Sequence, residues 1–364
     1  MVGKNIIKDT YNKYTVIAII SVILISIVSF YFISINQKYY DKTVAKITSV
    51  TQTKNKKQQI IAIVKNGQHK GEKIELENKA TSTSAYDIEY KINDEIFVSI
   101  YEDDNENIQS SKIISFKRDK YMLYLASIFA LLIILVGGLK GFRSLISVLI
   151  NIASFFIVIE MMNRGYNSIV IILIASLLFV SFSLFIVSGI NKKTVSAILG
   201  TITATFVSML ITAIVLYFTN SNGLGYQEIE YLPANSNLTI QQMFFIQLLI
   251  GSLGAIMDIS ISISSAIKEM YDKNPNIDRK ILVKSSMEIG KDIMGTMSNT
   301  LVFAYISGSI PLILILLKNN SPIFFNISLE IIRALSGSIG IVLSIPITMY
   351  ISVTLIKNRK MEEG

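Results

Sequence analysis

The sequence predicts a mainly α polytopic membrane protein, with eight transmembrane helices and a small all-β extracytoplasmic module between the first and second. Three observations carry this. Of 364 residues, 51% are hydrophobic and only 16% charged, with a mean hydropathy of +0.52, well above an ordinary soluble domain. Eight stretches are long enough to cross the hydrocarbon core as helices, which takes about 20 apolar residues each. One long segment, 37–118, breaks the pattern with 14 Lys/Arg and 12 Asp/Glu.

The spans are placed at 15–35, 121–139, 144–162, 168–189, 195–218, 241–267, 293–317 and 328–356. The last three exceed the need of a bilayer and allow tilt, kinks or extension beyond it, with Pro311 and Pro346 as kink candidates. The first span is read as an uncleaved anchor, since it is longer than a signal-peptide core and no small-residue cleavage site follows. The domains are thus an N-terminus and anchor (1–36), the β module (37–118), a seven-helix membrane domain (119–358) with a helical cytoplasmic loop at 268–291, and a tail (359–364).

Orientation follows from the basic residues. Lys4, Lys8 and Lys13, then Lys140 and Arg143, Lys192 and Lys193, six Lys/Arg between spans six and seven, and Lys357, Arg359 and Lys360 all fall on one side. The alternate short loops hold only Arg164 and Lys318, with no basic residue in 219–240. The positive-inside rule then puts both termini in the cytoplasm and 37–118 outside. The net charge of +8 is explained by this distribution without a nucleic-acid partner.

In the module, apolar residues alternate as half-buried strands require. TVAKITSV, QQIIAIVKN, GEKIELEN, YDIEYKI, EIFVSIY and SKIISFK are candidate strands, five or six in all, with Asn66-Gly67 and Asn93-Asp94 as turns. Such short strands suggest an OB- or SH3-like barrel or a sandwich. The single histidine, His69, reads as a solvated loop residue. With no cysteine and no His/Asp/Glu cluster, no metal and no cofactor is expected.

In the loop between spans six and seven, Asn274-Pro275 breaks one helical piece. Asn276 is placed as the cap of a second, and Gly290 as the turn into span seven. The loop is expected to lie on the inner membrane surface, to dock a partner, or to be a plain elbow.

Polar residues inside the spans are the candidate site. ISISIS in GAIMDISISISSA alternates like a strand, but open strands leave their backbone unsatisfied in lipid, so the segment must be helical. At helical spacing Gly251, Gly254, Asp258, Ser262 and Ser265 form one stripe, while Leu249, Leu253, Ile256 and Ile263 face elsewhere. Span seven places Asp292, Thr296 and Asn299 on one face, and span eight places Glu330, Arg333, Gly337, Gly340 and Ser344 on another. Counting about 1.5 Å per residue from the inner boundary, Asp258 and Asn299 come to similar depth, so Asn299 or Thr296 is a candidate partner of the Asp258 carboxyl.

Two readings of this set stay open. Asp258, Ser262, Ser265, Asp292, Thr296 and Asn299 line a proton, cation or substrate pathway, or they form a polar knot that packs helices. Gly251, Gly254, Gly337, Gly340, Glu330 and Arg333 are assigned to helix packing or gating, with Glu330 and Arg333 as a local ion pair near the interface. No Ser/His/Asp set, zinc-protease motif or phosphate-binding glycine loop is present, so an enzyme is not expected.

The stretches GSLGAIMDISISISSAIKEMYDKNPNIDRK and GKDIMGTMSNTLVFAYISGSIPLIL, with NKKTVSAILGT ahead of span five, resemble the YibE/F-like family of bacterial multi-pass membrane proteins over roughly 120–355. The anchor and outer module also suit that family. Where the family pattern has small apolar residues after the aspartate this chain has ISISIS, so Ser260 and Ser264 fall outside it. The resemblance implies a bacterial plasma membrane protein of this topology, and no particular activity. The leading expectation is a permease-like transporter of a small solute, ion or lipid-like substrate. The alternatives are an accessory envelope protein and the permease subunit of an ABC-type system. The partners these readings admit are the lipid bilayer, a membrane or envelope protein, and a second copy of the chain.

Overall fold

The structure is a computed structural model that describes residues 13–35, 40–53, 57–79, 89–103, 107–218, 240–319 and 323–357. Lys4, Lys8, Tyr86 to Ile88, the loop 219–239 and the tail 359–364, all used above, lie outside these. The chain divides into two compact units, Met1–Phe142 and Arg143–Gly364.

The first unit opens with helix α1 (Lys13–Ile35), most of whose large apolar side chains, Ile20, Leu24 and Val28 among them, are exposed. Five antiparallel strands follow: β1 (Thr43–Thr53), β2 (Lys57–Val64), β3 (Lys73–Lys79), β4 (Glu95–Glu102) and β5 (Ile108–Phe116). They are ordered β3-β2-β1-β4-β5. β3 and β5 approach each other across the remaining seam, where the Ser111 hydroxyl donates to the Glu75 carbonyl at 2.7 Å. The result is a nearly closed small barrel, as the alternation predicts. On β2 the inward residues are Gln58, Ile60, Ala62 and Val64 and the outward ones are more exposed, and Ile47, Ile74, Leu76 and Ile96 complete the core.

One candidate strand is corrected. In YDIEYKI the described part, Glu89 to Ile92, is not strand, and Ile92 is exposed. Only Tyr90 turns inward, and its backbone is satisfied by a side chain. The buried Gln58 amide donates to the Tyr90 carbonyl and its oxygen accepts from the Tyr90 N–H, both at 3.0 Å. Asn93 adopts φ 74° and Gly67 φ 80°, the left-handed conformations that Asn and Gly tolerate best.

Helix α2 (Asp119–Asn163) contains both the second and third predicted spans. Its one non-helical residue is Gly138 (φ 57°, ψ −134°), a backbone region open to glycine alone. Residues eight apart on a straight helix are about 12 Å apart, yet a Cβ at Gly141 would strike the Ile133 carbonyl oxygen. The chain therefore doubles back at Gly138.

The second unit adds α3 (Ser168–Ser188), α4 (Lys192–Phe218), α5 (Ile240–Lys273), α6 (Arg279–Lys318) and α7 (Ile323–Lys357). α7 is its centre, packed along α4, α5 and α6 through Ile341, Ile345 and Val353, which meet Ile256, Ile259 and Ile263. Close approach is set by glycines. A Cβ at Gly200 on α4 would strike Thr348, one at Gly337 would meet Leu301, and one at Gly340 would meet Ile256.

The link between α5 and α6 breaks at Asn274-Pro275 as expected, but its cap and the place of Gly290 differ from expectation. Neither helix is interrupted between its predicted span and this loop, and the elbow is the short turn after Lys273, capped by the Asp278 carboxylate accepting from the Lys280 N–H rather than by Asn276. Gly290 lies inside α6 instead of at a turn. A Cβ there would strike Ile345, so the glycine serves packing against α7. Altogether, among the described residues, seven helices are long and apolar enough to cross a membrane, α2 holding two of the eight predicted stretches.

Candidate functional site

α5 has two polar faces with different fates. Ser260 and Ser264 are fully buried against α7. The Ser264 and Ser352 hydroxyls are 2.8 Å apart and Thr348 donates to Ser260 at 3.1 Å. Further along α7, the Ser336 carbonyl accepts from Ser208 of α4 at 2.5 Å. These hydrogen bonds and the glycines beside them are the polar packing of the bundle, and Asp258 takes no part in it.

The other face is the predicted stripe. Gly251, Gly254, Asp258 and Ser262 are exposed on the chain and Ser265 is half-buried. The Ser262 hydroxyl donates to the Asp258 backbone carbonyl at 2.7 Å. Among the described residues the Asp258 carboxylate has neither hydrogen bond nor ion pair.

Register with α6 is fixed at Gly251, where a Cβ would strike the Tyr305 hydroxyl. Seven residues on from Gly251 is Asp258, and seven back from Tyr305 is Ser298. Seven residues are two turns, so Asp258 and Ser298 share a level and lie on the stripes that meet at Gly251 and Tyr305. The Ser298 and Tyr305 hydroxyl oxygens are both buried and, among the described residues, without a hydrogen-bond partner.

The expected partners of Asp258 stand differently. Thr296 and Asn299 are exposed, as is Asp292 nearer the start of α6. Thr296 donates to the Ile293 carbonyl at 2.9 Å, and no hydrogen bond joins Asn299 or Thr296 to Asp258 among the described residues.

At the other end of the stripe, Glu330 and Arg333 pair at 2.6 Å. Arg333 is also buried, at 6% exposure. It reaches across to α5, donating to the Gln247 side-chain oxygen and lying over the Phe244 ring at 5.6 Å. Gln247 precedes Gly251 by four residues, so the stripe runs from Arg333 past Tyr305 to Asp258. Gln247, Ser298 and Tyr305 were not singled out by sequence. Gln247 was available by extending the stripe one turn, whereas Ser298 was hidden by its neighbour Asn299, the more polar residue.

No group of three His, Cys, Asp or Glu residues that could hold a metal is present among the described residues.

A small antiparallel barrel joined to a set of long apolar helices, with a carboxylate inside one of them, defines a multi-helix membrane protein. Residues 125–358 match the model of the YibE/F-like protein family and residues 38–116 that of the YibE/F family N-terminal domain. The chain belongs to the YibE/F-like family. No curated protein and no solved structure matches it.

Proposed function

We propose that the protein is a permease-like transporter of the bacterial plasma membrane, moving a small solute, ion or lipid-like substrate, with Asp258 as its proton- or cation-binding group. The observation that carries this reading is the division of labour on α5. The helix contacts are made by Ser260 and Ser264 with α7, leaving the Asp258 carboxylate outside the packing and level with the unpartnered Ser298 hydroxyl. An acid inside an apolar helix costs about 2.5–3.5 kcal/mol on insertion scales, so its retention off the packing seam favours a functional role.

In this reading both termini are cytoplasmic, the β module is extracytoplasmic, and reversal at Gly138 makes α2 two spans, giving eight. Asp258 takes up a proton or cation, Ser298 supplies a second oxygen, and the tight meeting of Tyr305 with Gly251 divides Asp258 from the Arg333, Glu330 and Gln247 end. The exposure of Gly251, Gly254 and Asp258 favours a second reading, in which another copy of the chain covers this face.

The test is reconstitution of wild type and Asp258→Asn into liposomes carrying a lumenal pH dye, with sodium, potassium and proton gradients applied in turn. A flux lost in Asp258→Asn at equal incorporation supports transport. Equal behaviour of the two proteins in every gradient refutes it. Disulfide cross-linking through Gly254→Cys, in a chain that has no cysteine, reads the second-copy alternative separately.

A further inference from the structure

The chain's single histidine lies between two carboxylates on different parts of the barrel. His69 sits in the turn joining β2 to β3. Its Nδ1 is 3.2 Å from Glu72 Oε2, and its Nε2 is 2.9 Å from Glu102 Oε1 at the end of β4. The imidazole is only 11% exposed, so it is not the solvated loop residue that the sequence suggests. The turn is held by its own backbone, with the Glu72 N–H donating to the His69 carbonyl at 3.0 Å.

A neutral imidazole carries one N–H, and its other nitrogen presents a lone pair. Only the imidazolium donates to two carboxylates at once. The arrangement is therefore that of a charged ring fastening the β2–β3 turn to the end of β4. His69 and Glu102 also form part of the wall of a polar cleft of about 310 Å³, shared with Lys42, Asn66, Gln68 and Ser99. The charged groups around the ring are Glu72 and Lys70 on its own turn, Glu102 from β4, and Asp41 and Lys42 ahead of β1. From β5 the cleft receives the apolar Ile114.

We propose that His69 is a proton-operated latch on this cleft: protonated, it ties the turn to β4 and closes the wall, and deprotonated, it releases one carboxylate and lets the wall open. The hydrogen bond to Glu102 acts most strongly to raise the ring's pKa above its ordinary value, desolvation opposes it, and the bond to Glu72 adds to the rise. A group whose pKa is raised by folding stabilises the closed form fully below its unfolded value and ceases to do so as pH climbs through the folded one. The latch is thus shut below the ordinary histidine value and opens as pH climbs through the raised one. That it senses the outer compartment rests on the proposed orientation, whereas the latch itself needs only the barrel and is independent of transport through Asp258.

The experiment uses the full chain in detergent with ¹³C-labelled histidine, so that one imidazole reports. The expected midpoint lies above about 6.5, the ordinary value. Glu102→Gln and Glu72→Gln should each lower it, and the double variant, left with desolvation alone, should bring it below the ordinary value. A midpoint at or below 6.5, or one that neither substitution moves, overturns the proposal. Ser99→Cys then gives the chain a lone thiol in the cleft. Its maleimide labelling, divided by that of Ser99→Cys in a His69→Gln background to cancel thiol ionisation, should rise severalfold across the histidine midpoint. A ratio independent of pH would show that the cleft ignores the ring and would equally overturn the latch.

Discussion

The hydroxyls of Ser264 on α5 and Ser352 on α7 meet at 2.8 Å with both residues fully buried. A helical serine hydroxyl left without its partner can turn to the carbonyl four residues back, so losing one hydroxyl is mild while adding bulk is not. Ser264→Ala should cost about 0.5–1.5 kcal/mol. Ser264→Leu should cost about 1–3 kcal/mol or block assembly by overpacking. Thermal unfolding of both variants in one detergent gives the ranking.

On its α4 side, α7 packs closely at Gly200, where any Cβ would strike the Thr348 side chain. Gly200→Ala should lower the melting temperature although alanine is the better helix former. Adding Thr348→Gly to that variant should recover part of the loss. Additive losses in the double variant would place the strain elsewhere.

Arg333 joins Glu330 of its own helix to Gln247 of α5 while 6% exposed. Removing one member of a buried pair strands the other charge, typically at about 3–5 kcal/mol, whereas removing both is far less costly. Arg333→Met should therefore destabilise more than the double variant Arg333→Met/Glu330→Leu. Arg333→Lys should not substitute, because the planar fork is what reaches both partners. Denaturant midpoints of the four proteins decide the order.

Period and hydropathy made the long helices and most strands legible, since apolar runs and alternation report burial directly. Three features were not legible for physical reasons. Gly290 has the residue type of a helix end, but its role depends on Ile345 on another helix, which local sequence does not encode. In ISISIS, Ser260 and Ser262 look alike. The 200° between them on a helix sends Ser260 to Thr348 and Ser262 outward to its own backbone, and that choice is made by where α7 lies. The strand pattern in YDIEYKI fails because the Gln58 side chain takes the backbone partners of Tyr90 that a neighbouring strand would supply. The meeting of Gly251 with Tyr305 sets Asp258 level with Ser298 on α6, where polarity alone favoured its neighbour Asn299.

The base of the barrel gives a prediction with a definite sign in pH. Glu95, at the start of β4, accepts from Lys120 at 2.7 Å and from Lys117 at 3.0 Å, and the Lys117 ammonium is 1% exposed and lies 4.9 Å from the centre of the Tyr40 ring. Burial alone would raise the Glu95 pKa, but the hydrogen bonds from Lys120 and Lys117 outweigh it and hold the carboxyl below the ordinary range. A carboxyl whose pKa is lowered by folding stabilises the native state above its unfolded value, about 4.3, and the contribution is lost as pH falls through the depressed folded value. The barrel should therefore weaken in acid below about pH 4.3 through this group. Glu95→Gln should remove that part of the slope while costing stability at neutral pH, because it leaves Lys117 buried beside a neutral amide. Lys117→Met should cost about 1.5–3 kcal/mol at neutral pH, the worth of a charged hydrogen bond, and should move the Glu95 midpoint upward. Denaturant midpoints read from amide signals of β1 and β4 in the full chain, at pH 7 and at intervals down to pH 3, give all three quantities, and an acid slope unchanged in Glu95→Gln would assign it to other carboxylates.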